Sequence, residues 1–171
     1  FIKTSSEKNK MLKNNSSVFW QPKSTGDGRF KNWLENLNDW NLSRSRFWGT
    51  PIPVWVTKDE KEVVCVGSVK ELFELCEESV AAGFMNKNPL KSFVVGDMSD
   101  ENYNSIDLHK HVVDKIILCS NSGKKMFREP DLIDVWFDSG AMPFAQFHYP
   151  FENKSVIDSR VGFPADFIAE G

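Results

Sequence analysis

The hydrophobic and polar positions change period several times along the chain, and each change predicts an element. Residues 1–28 are polar and rich in Lys, Asn and Ser, with a short helix expected over residues 5–15. The turn-prone Ser24-Thr25-Gly26-Asp27-Gly28 then marks a boundary, and we read this segment as a linker. From Arg29 the texture changes: Phe30, Trp33, Leu34, Leu37, Trp40 and Leu42 recur every three or four residues, which suits a short amphipathic helix. Next comes Ser43-Arg44-Ser45-Arg46-Phe47-Trp48-Gly49-Thr50-Pro51-Ile52-Pro53-Val54-Trp55. Its glycine and two prolines forbid a regular helix and predict an extended, ring-lined loop that leads into a strand.

Residues 57–130 are charged and modular. Residues 63–66 read as a short strand, and Ser68-Val69-Lys70-Glu71 is a capping box that opens a helix. Val69, Leu72, Phe73, Cys76 and Val80 form its apolar stripe, and Gly83 stands where the helix should end. Residues 88–104 read as loop, with Phe93-Val94-Val95 as a brief strand. Residues 111–118 are a stronger strand pattern, and Asn121-Ser122-Gly123-Lys124 is a turn that suits a hairpin into Met126-Phe127-Arg128. In the last segment, 131–171, Leu132-Ile133-Asp134-Val135-Trp136-Phe137 reads as a strand that ends in Asp138-Ser139-Gly140. Asp166-Phe167-Ile168-Ala169 reads as another that ends in Glu170-Gly171. Two strands that each end in an acid beside a glycine are the pattern of a ligand site at strand carboxyl ends in an α/β sheet.

Composition narrows the function classes. The 171 residues are 40% hydrophobic, enough for a core without metals or disulfides, and no apolar run approaches the ~18 residues of a membrane span. Three cysteines, Cys65, Cys76 and Cys119, are odd in number and widely spaced, which suits reduced thiols in a cytoplasmic protein. The start has no signal-peptide pattern. A formal net charge of -3 argues against a self-sufficient nucleic-acid binder. Six Trp and fourteen Phe against two Tyr lie mostly in Pro- and Gly-containing stretches, where rings often line pockets. Phe1 is not an initiator Met, and no terminal element follows Glu170, so a longer parent chain is expected.

Several residues could carry chemistry, each with a plainer alternative. Asp138, after two large rings, could hold a ligand hydroxyl or ammonium, or it could cap a turn. Glu170 beside Gly171 could clasp a ribose, or be an exposed acid at a strand end. Cys119 and Ser122 have the gap of a zinc knuckle, but the second thiol is missing and a buried, inert cysteine fits better. His109 and His111, two apart, would share one side of a strand, and without a third ligand they read as a surface pair. Arg44 and Arg46 could meet phosphate while Phe47 and Trp48 stack on bases, or their stems could cover core rings. Nucleophile motifs, a phosphate-binding Walker loop and a dinucleotide fingerprint are absent.

Three blocks together resemble class I isoleucyl-tRNA synthetases. Asn32-Trp33-Leu34-Glu35-Asn36 and Asp39-Trp40-Asn41-Leu42, continuing through Ser43 to Pro53, resemble the stretch that re-enters the catalytic domain after the editing insertion. Leu132 to Pro143, with Trp136-Phe137-Asp138-Ser139-Gly140 at its centre, and Phe163 to Gly171 match the catalytic core in the same order. The resemblance implies an α/β fold: the second-half portion of a Rossmann-like nucleotide-binding domain that carries an α+β insertion. Its segments would be an exit from the editing insertion (1–28), the start of the second half (29–56), the insertion (57–130) and the return (131–171).

By the same resemblance the whole enzyme would activate isoleucine with ATP and Mg and transfer it to tRNA(Ile), as a cytoplasmic monomer without a membrane partner. Trp136 would help wall the isoleucine pocket, Asp138, Glu170 and Gly171 would join it in binding substrate, and Arg44 and Arg46 are candidate tRNA contacts. No catalytic residue is assigned. The family's two nucleotide signatures are absent, so this segment is expected to be inactive alone. Many relatives carry a Cys-x-x-Cys after the Pro-Val-Trp strand and further cysteines before the Trp-Phe-Asp block, which form a zinc ribbon. Here Thr57 and Glu60 take the first positions and Cys119 stands alone, so zinc is not expected. The alternative is a non-catalytic module that binds RNA or protein through its aromatic loops, Phe47-Trp48 and residues 144–151.

Overall fold

The computed structural model describes residues 1–169 and divides into two units, Phe1–Ser43 and a second that begins at Arg44. In the first, a 3-10 turn (Thr4–Glu7) runs into helix α1 (Lys8–Asn15), which agrees with the helix expected there. The unit is organised around the buried amide of Asn15, which donates to the Gly26 carbonyl and accepts the Trp20 indole N–H at 2.9 Å. A Cβ at position 26 would sit 2.1 Å from the Trp20 ring, so only glycine fits there. A π-helical turn (Thr25–Phe30) continues into α2 (Lys31–Glu35), whose Leu34 is buried. The helix expected to reach Leu42 stops at Glu35: Asn36 folds its amide back onto the Asn32 carbonyl, and Trp40 instead pairs its backbone with Ile2.

Strand β1 (Ser43–Arg44) lies at the division, and the second unit follows with β2 (Val54–Thr57), β3 (Val63–Cys65), α3 (Val69–Ala81), α4 (Asp100–Asn104), α5 (Lys110–Val113), β4 (Ile117–Cys119), β5 (Lys125–Arg128), β6 (Leu132–Ile133), α6 (Val135–Ala145) and α7 (Lys154–Asp158). Four of these strands form an antiparallel sheet in the order β3-β2-β5-β4. Trp55 pairs with both Val64 and Arg128, and β4 and β5 form the expected hairpin with Leu118 opposite Met126. The capping box forms as read: the Ser68 hydroxyl accepts from the Glu71 N–H, and the Glu71 carboxylate accepts from Gly67. Helix α3 packs Leu72 and Cys76 onto the sheet, and the Ser79 hydroxyl donates to the Ile117 carbonyl. Trp55, Val66, Leu90, Phe93, Val113, Ile116, Leu118 and Met126 complete the core, and the Trp55 indole donates to the Ile116 carbonyl at 3.0 Å.

Four expected strands change. Residues 111–118 split into α5 and β4, so His109 precedes a helix instead of sharing a strand face with His111; Asp107 holds the His109 N–H and both imidazoles. Phe93-Val94-Val95 makes no ladder because the Asn102 side-chain amide satisfies both backbone groups of Val94. Leu132-Phe137 is strand only at β6 and then turns into α6, because Asp134 caps a helix by accepting the Trp136 N–H. Residues 166–169 have no ladder partner among the described residues, and Phe167 and Ile168 are exposed.

Candidate functional site

The loop after Arg44 and the segment after Asp131 are nearly ninety residues apart in sequence, and the fold lays them side by side. Backbone bonds set the register: Ile133 N–H donates to the Thr50 carbonyl at 2.7 Å, and Ile52 N–H to the Asp131 carbonyl at 3.3 Å. Gly49, at φ +143°, brings the loop against Leu132, in backbone space that an L side chain rarely adopts. Three side-chain links follow in order: Arg44 to Asp134, Ser45 to Asp131 at 2.7 Å, and Thr50 to Asp138 at 3.1 Å.

Asp134 is the hinge of this arrangement. Its side chain is buried, takes the Arg44 guanidinium, and caps α6, so the ion pair and the cap fix where α6 begins. Helix α6 is otherwise a poor helix sequence, with Gly140 and Pro143 inside it. Asp138 lies in its first turn, where a carboxylate is favoured by the helix dipole, and it accepts from Thr50. The resulting surface is apolar: Val135 is 69% and Trp136 72% exposed, with Met142 and Phe144 also open.

Of the residues singled out in the sequence, the structure brings Arg44 and Asp138 to the two joined segments through Asp134 and Thr50, and Trp136 is exposed on α6. Arg46 is exposed. Phe47 and Trp48 are exposed, and Trp48 stacks on His109 with centroids 4.5 Å apart. Glu170 and Gly171 lie outside the described residues. Asp138 sits on a helix, not at a strand end, so the expected geometry of two strands that end in acids does not form among the described residues. Sequence reasoning missed Asp134, Asp131, Ser45 and Thr50. The available signal was an Asp four residues before a second Asp, as at a helix start, which the run of apolar residues obscured.

The two turns at the other end of the sheet, β2–β3 and β4–β5, are joined by polar side chains. Glu62 accepts from Ser120 at 3.0 Å and from the Ser122 hydroxyl, while Lys124 donates to Asp59 at 2.8 Å. The Lys124 bond, with help from Thr57, brings the Asp59 carboxyl down to about 2. Among the described residues no three His, Cys, Asp or Glu side chains converge to hold a metal, and no helix is long and apolar enough to cross a membrane.

The chain is 60% identical to an isoleucine–tRNA ligase of Bacteroides fragilis, 58% to one of Porphyromonas gingivalis and 42% to the cytoplasmic isoleucine–tRNA ligase of Schizosaccharomyces pombe. Each match covers the whole chain, which spans only 14–15% of the length of these curated relatives. A family model described as tRNA synthetases class I (I, L, M and V) matches residues 1–171. That match runs through both halves of the site that Arg44, Thr50, Asp134 and Asp138 assemble, and on it the chain belongs to the class I tRNA synthetases.

Proposed function

We propose that the protein carrying this segment is an isoleucine–tRNA ligase, which activates isoleucine with ATP and transfers it to tRNA(Ile). The observation that carries this reading is the juxtaposition of the Arg44–Ile52 loop with the Asp131–Asp138 segment, in a chain 60% identical to a relative of that name. In the reaction the isoleucine carboxylate attacks the α-phosphate in line, and pyrophosphate leaves. The terminal hydroxyl of tRNA then attacks the adenylate carbonyl and AMP leaves. Neither step needs a covalent bond to the enzyme, so the protein contributes position and electrostatics.

Within that scheme residues 29–56 and 131–171 belong to the second half of a Rossmann-like nucleotide-binding fold, residues 57–130 are an α+β insertion, and residues 1–28 lead out of the editing insertion. Trp136 walls the isoleucine side chain; its exposure here supports a role against a ligand or a neighbouring part of the whole protein. Asp138 is held by Thr50 for a ligand donor, and Glu170 and Gly171 lie against the adenylate. Arg46 is the better candidate for a tRNA phosphate, because Arg44 is engaged with Asp134. Among the described residues no three His, Cys, Asp or Glu side chains gather to hold the Mg that accompanies ATP. The whole protein acts as a cytoplasmic monomer.

The test is isoleucine-dependent exchange of pyrophosphate into ATP by the whole protein, with and without Trp136→Ala. The reading expects a raised KM for isoleucine and a nearly unchanged KM for ATP. Unchanged isoleucine kinetics would remove Trp136 from the pocket, and exchange driven by valine or leucine in preference to isoleucine would overturn the substrate. A binding module remains the second reading, favoured by the exposed rings of Phe47 and Phe151. It predicts tight RNA or protein binding by the segment alone.

A further inference from the structure

Arg128 bonds through its side chain to four residues of the second unit, Ile52, Asp114, Pro130 and Asp131. It ends β5, and its side chain is only 1% exposed. The guanidinium donates to three backbone carbonyls: Ile52 at 3.1 Å and Asp131 at 3.0 Å from one nitrogen, and Pro130 at 3.2 Å from another. Its remaining direction is taken by the Asp114 carboxylate, through Nε at 2.6 Å and through an ion pair. Lys110 joins from α5, donating to the Pro130 carbonyl at 2.6 Å and pairing with Asp114 at 2.8 Å. Burial pushes the Asp114 carboxyl up, but the hydrogen bonds and charges of Lys110 and Arg128 outweigh it and hold the group below its usual value.

The three carbonyls stand at the two places where the chain crosses between the sheet and the candidate site. Ile52 lies two residues after Thr50, and Asp131 lies three before Asp134. Arg128 therefore ties the two crossings to each other and to α5. A planar, five-donor fork can span them at once, which a lysine ammonium cannot do with the same geometry. A charged group this buried is retained only where its partners are fixed, and here those partners are the backbone of the site's own supports.

We infer that Arg128 is a positioning residue for isoleucine activation: its guanidinium sets the spacing of the Thr50 and Asp138 sides of the site, with Asp114 and Lys110 holding it in place. The inference rests on the reading of the protein as an isoleucine–tRNA ligase. Positional errors of about 1 Å at a reacting group cost rate on the order of a hundredfold, so a fixed crossing matters to the chemistry beyond its effect on folding.

The experiment uses the whole protein with Arg128→Lys and, as a milder change at the same carbonyl, Lys110→Met. Pyrophosphate exchange is measured per titrated active site, so that any loss of folded protein is divided out. The expected result is a kcat/KM for isoleucine lowered at least about tenfold in Arg128→Lys and less in Lys110→Met, with the KM for ATP within about twofold of the parent. A lower yield or melting temperature with the kcat/KM for isoleucine unchanged would make Arg128 merely structural and overturn the inference. Equal rises in both KM values would overturn it too. Failure of the underlying reading looks different: the unsubstituted protein would show no isoleucine-dependent exchange, and the inference would fall with it.

Discussion

Arg44 and Asp134, ninety residues apart in the chain, form an ion pair on the same carboxylate that caps α6. A long-range contact and a local helix start thereby depend on a single side chain. Asp134→Ala should remove both, at a cost of about 1–2 kcal/mol from the cap alone. Asp134→Asn keeps a capping oxygen and should cost less. Urea denaturation gives the totals, and amide exchange should quicken first in α6. Equal stability in the two variants would show that the cap contributes little.

The Asp59–Lys124 bond gives a pH signature. The Asp59 carboxyl is brought from 3.8 to about 2, so its stabilising effect is present above about 4 and is lost as pH falls through about 2. Carbon NMR of the carboxyl should show a midpoint near 2 in the parent, and Lys124→Met should return it towards 3.8. Because both turns are also tied through Glu62, a chelator should leave the far-ultraviolet spectrum unchanged, whereas Glu62→Ala should loosen the turns.

Cys76 is buried on α3, and burial pushes its thiol up to about 12 from 9.0. The folded state holds the neutral form, so this group's stabilising effect is complete below about 9 and is lost as pH rises towards 12. At pH 8 an alkylating reagent should modify exposed Cys65 promptly and Cys76 only at the rate of unfolding, as read by peptide mass spectrometry. Prompt labelling of Cys76 would contradict the packing of α3 on the sheet.

Trp55 fills the centre of the sheet, and its indole N–H satisfies the Ile116 carbonyl. Trp55→Phe leaves that carbonyl without its donor and a void beside it, and should cost about 1–3 kcal/mol in chemical denaturation. A neutral substitution would mean that a water takes the place of the indole.

Elements whose signals are local were legible in the chain: α3 with its capping box, the β4–β5 hairpin with Gly123, and the irregular course through Pro51 and Pro53. At two places where the sequence misled, a polar side chain had taken over a backbone partner. Asn102 replaced a strand neighbour for Val94, and Asp134 turned a strand-like run of Val, Trp and Phe into a helix. Those outcomes depend on which carboxylate or amide arrives from elsewhere in space, and a period of two or of 3.6 carries no such information.

The same division holds for the site. The sequence by itself determined the block of residues around Trp136-Phe137-Asp138, the loop around Phe47-Trp48-Gly49 and the family to which they belong, because motif chemistry is written in residue order. Only the tertiary structure decided that Arg44 is engaged with Asp134, that Thr50 holds Asp138, and that Arg128 joins the two crossings. The physical reason is that ion pairs and buried hydrogen bonds depend on distance and on exclusion of water, and both arise only when segments nearly ninety residues apart have packed together.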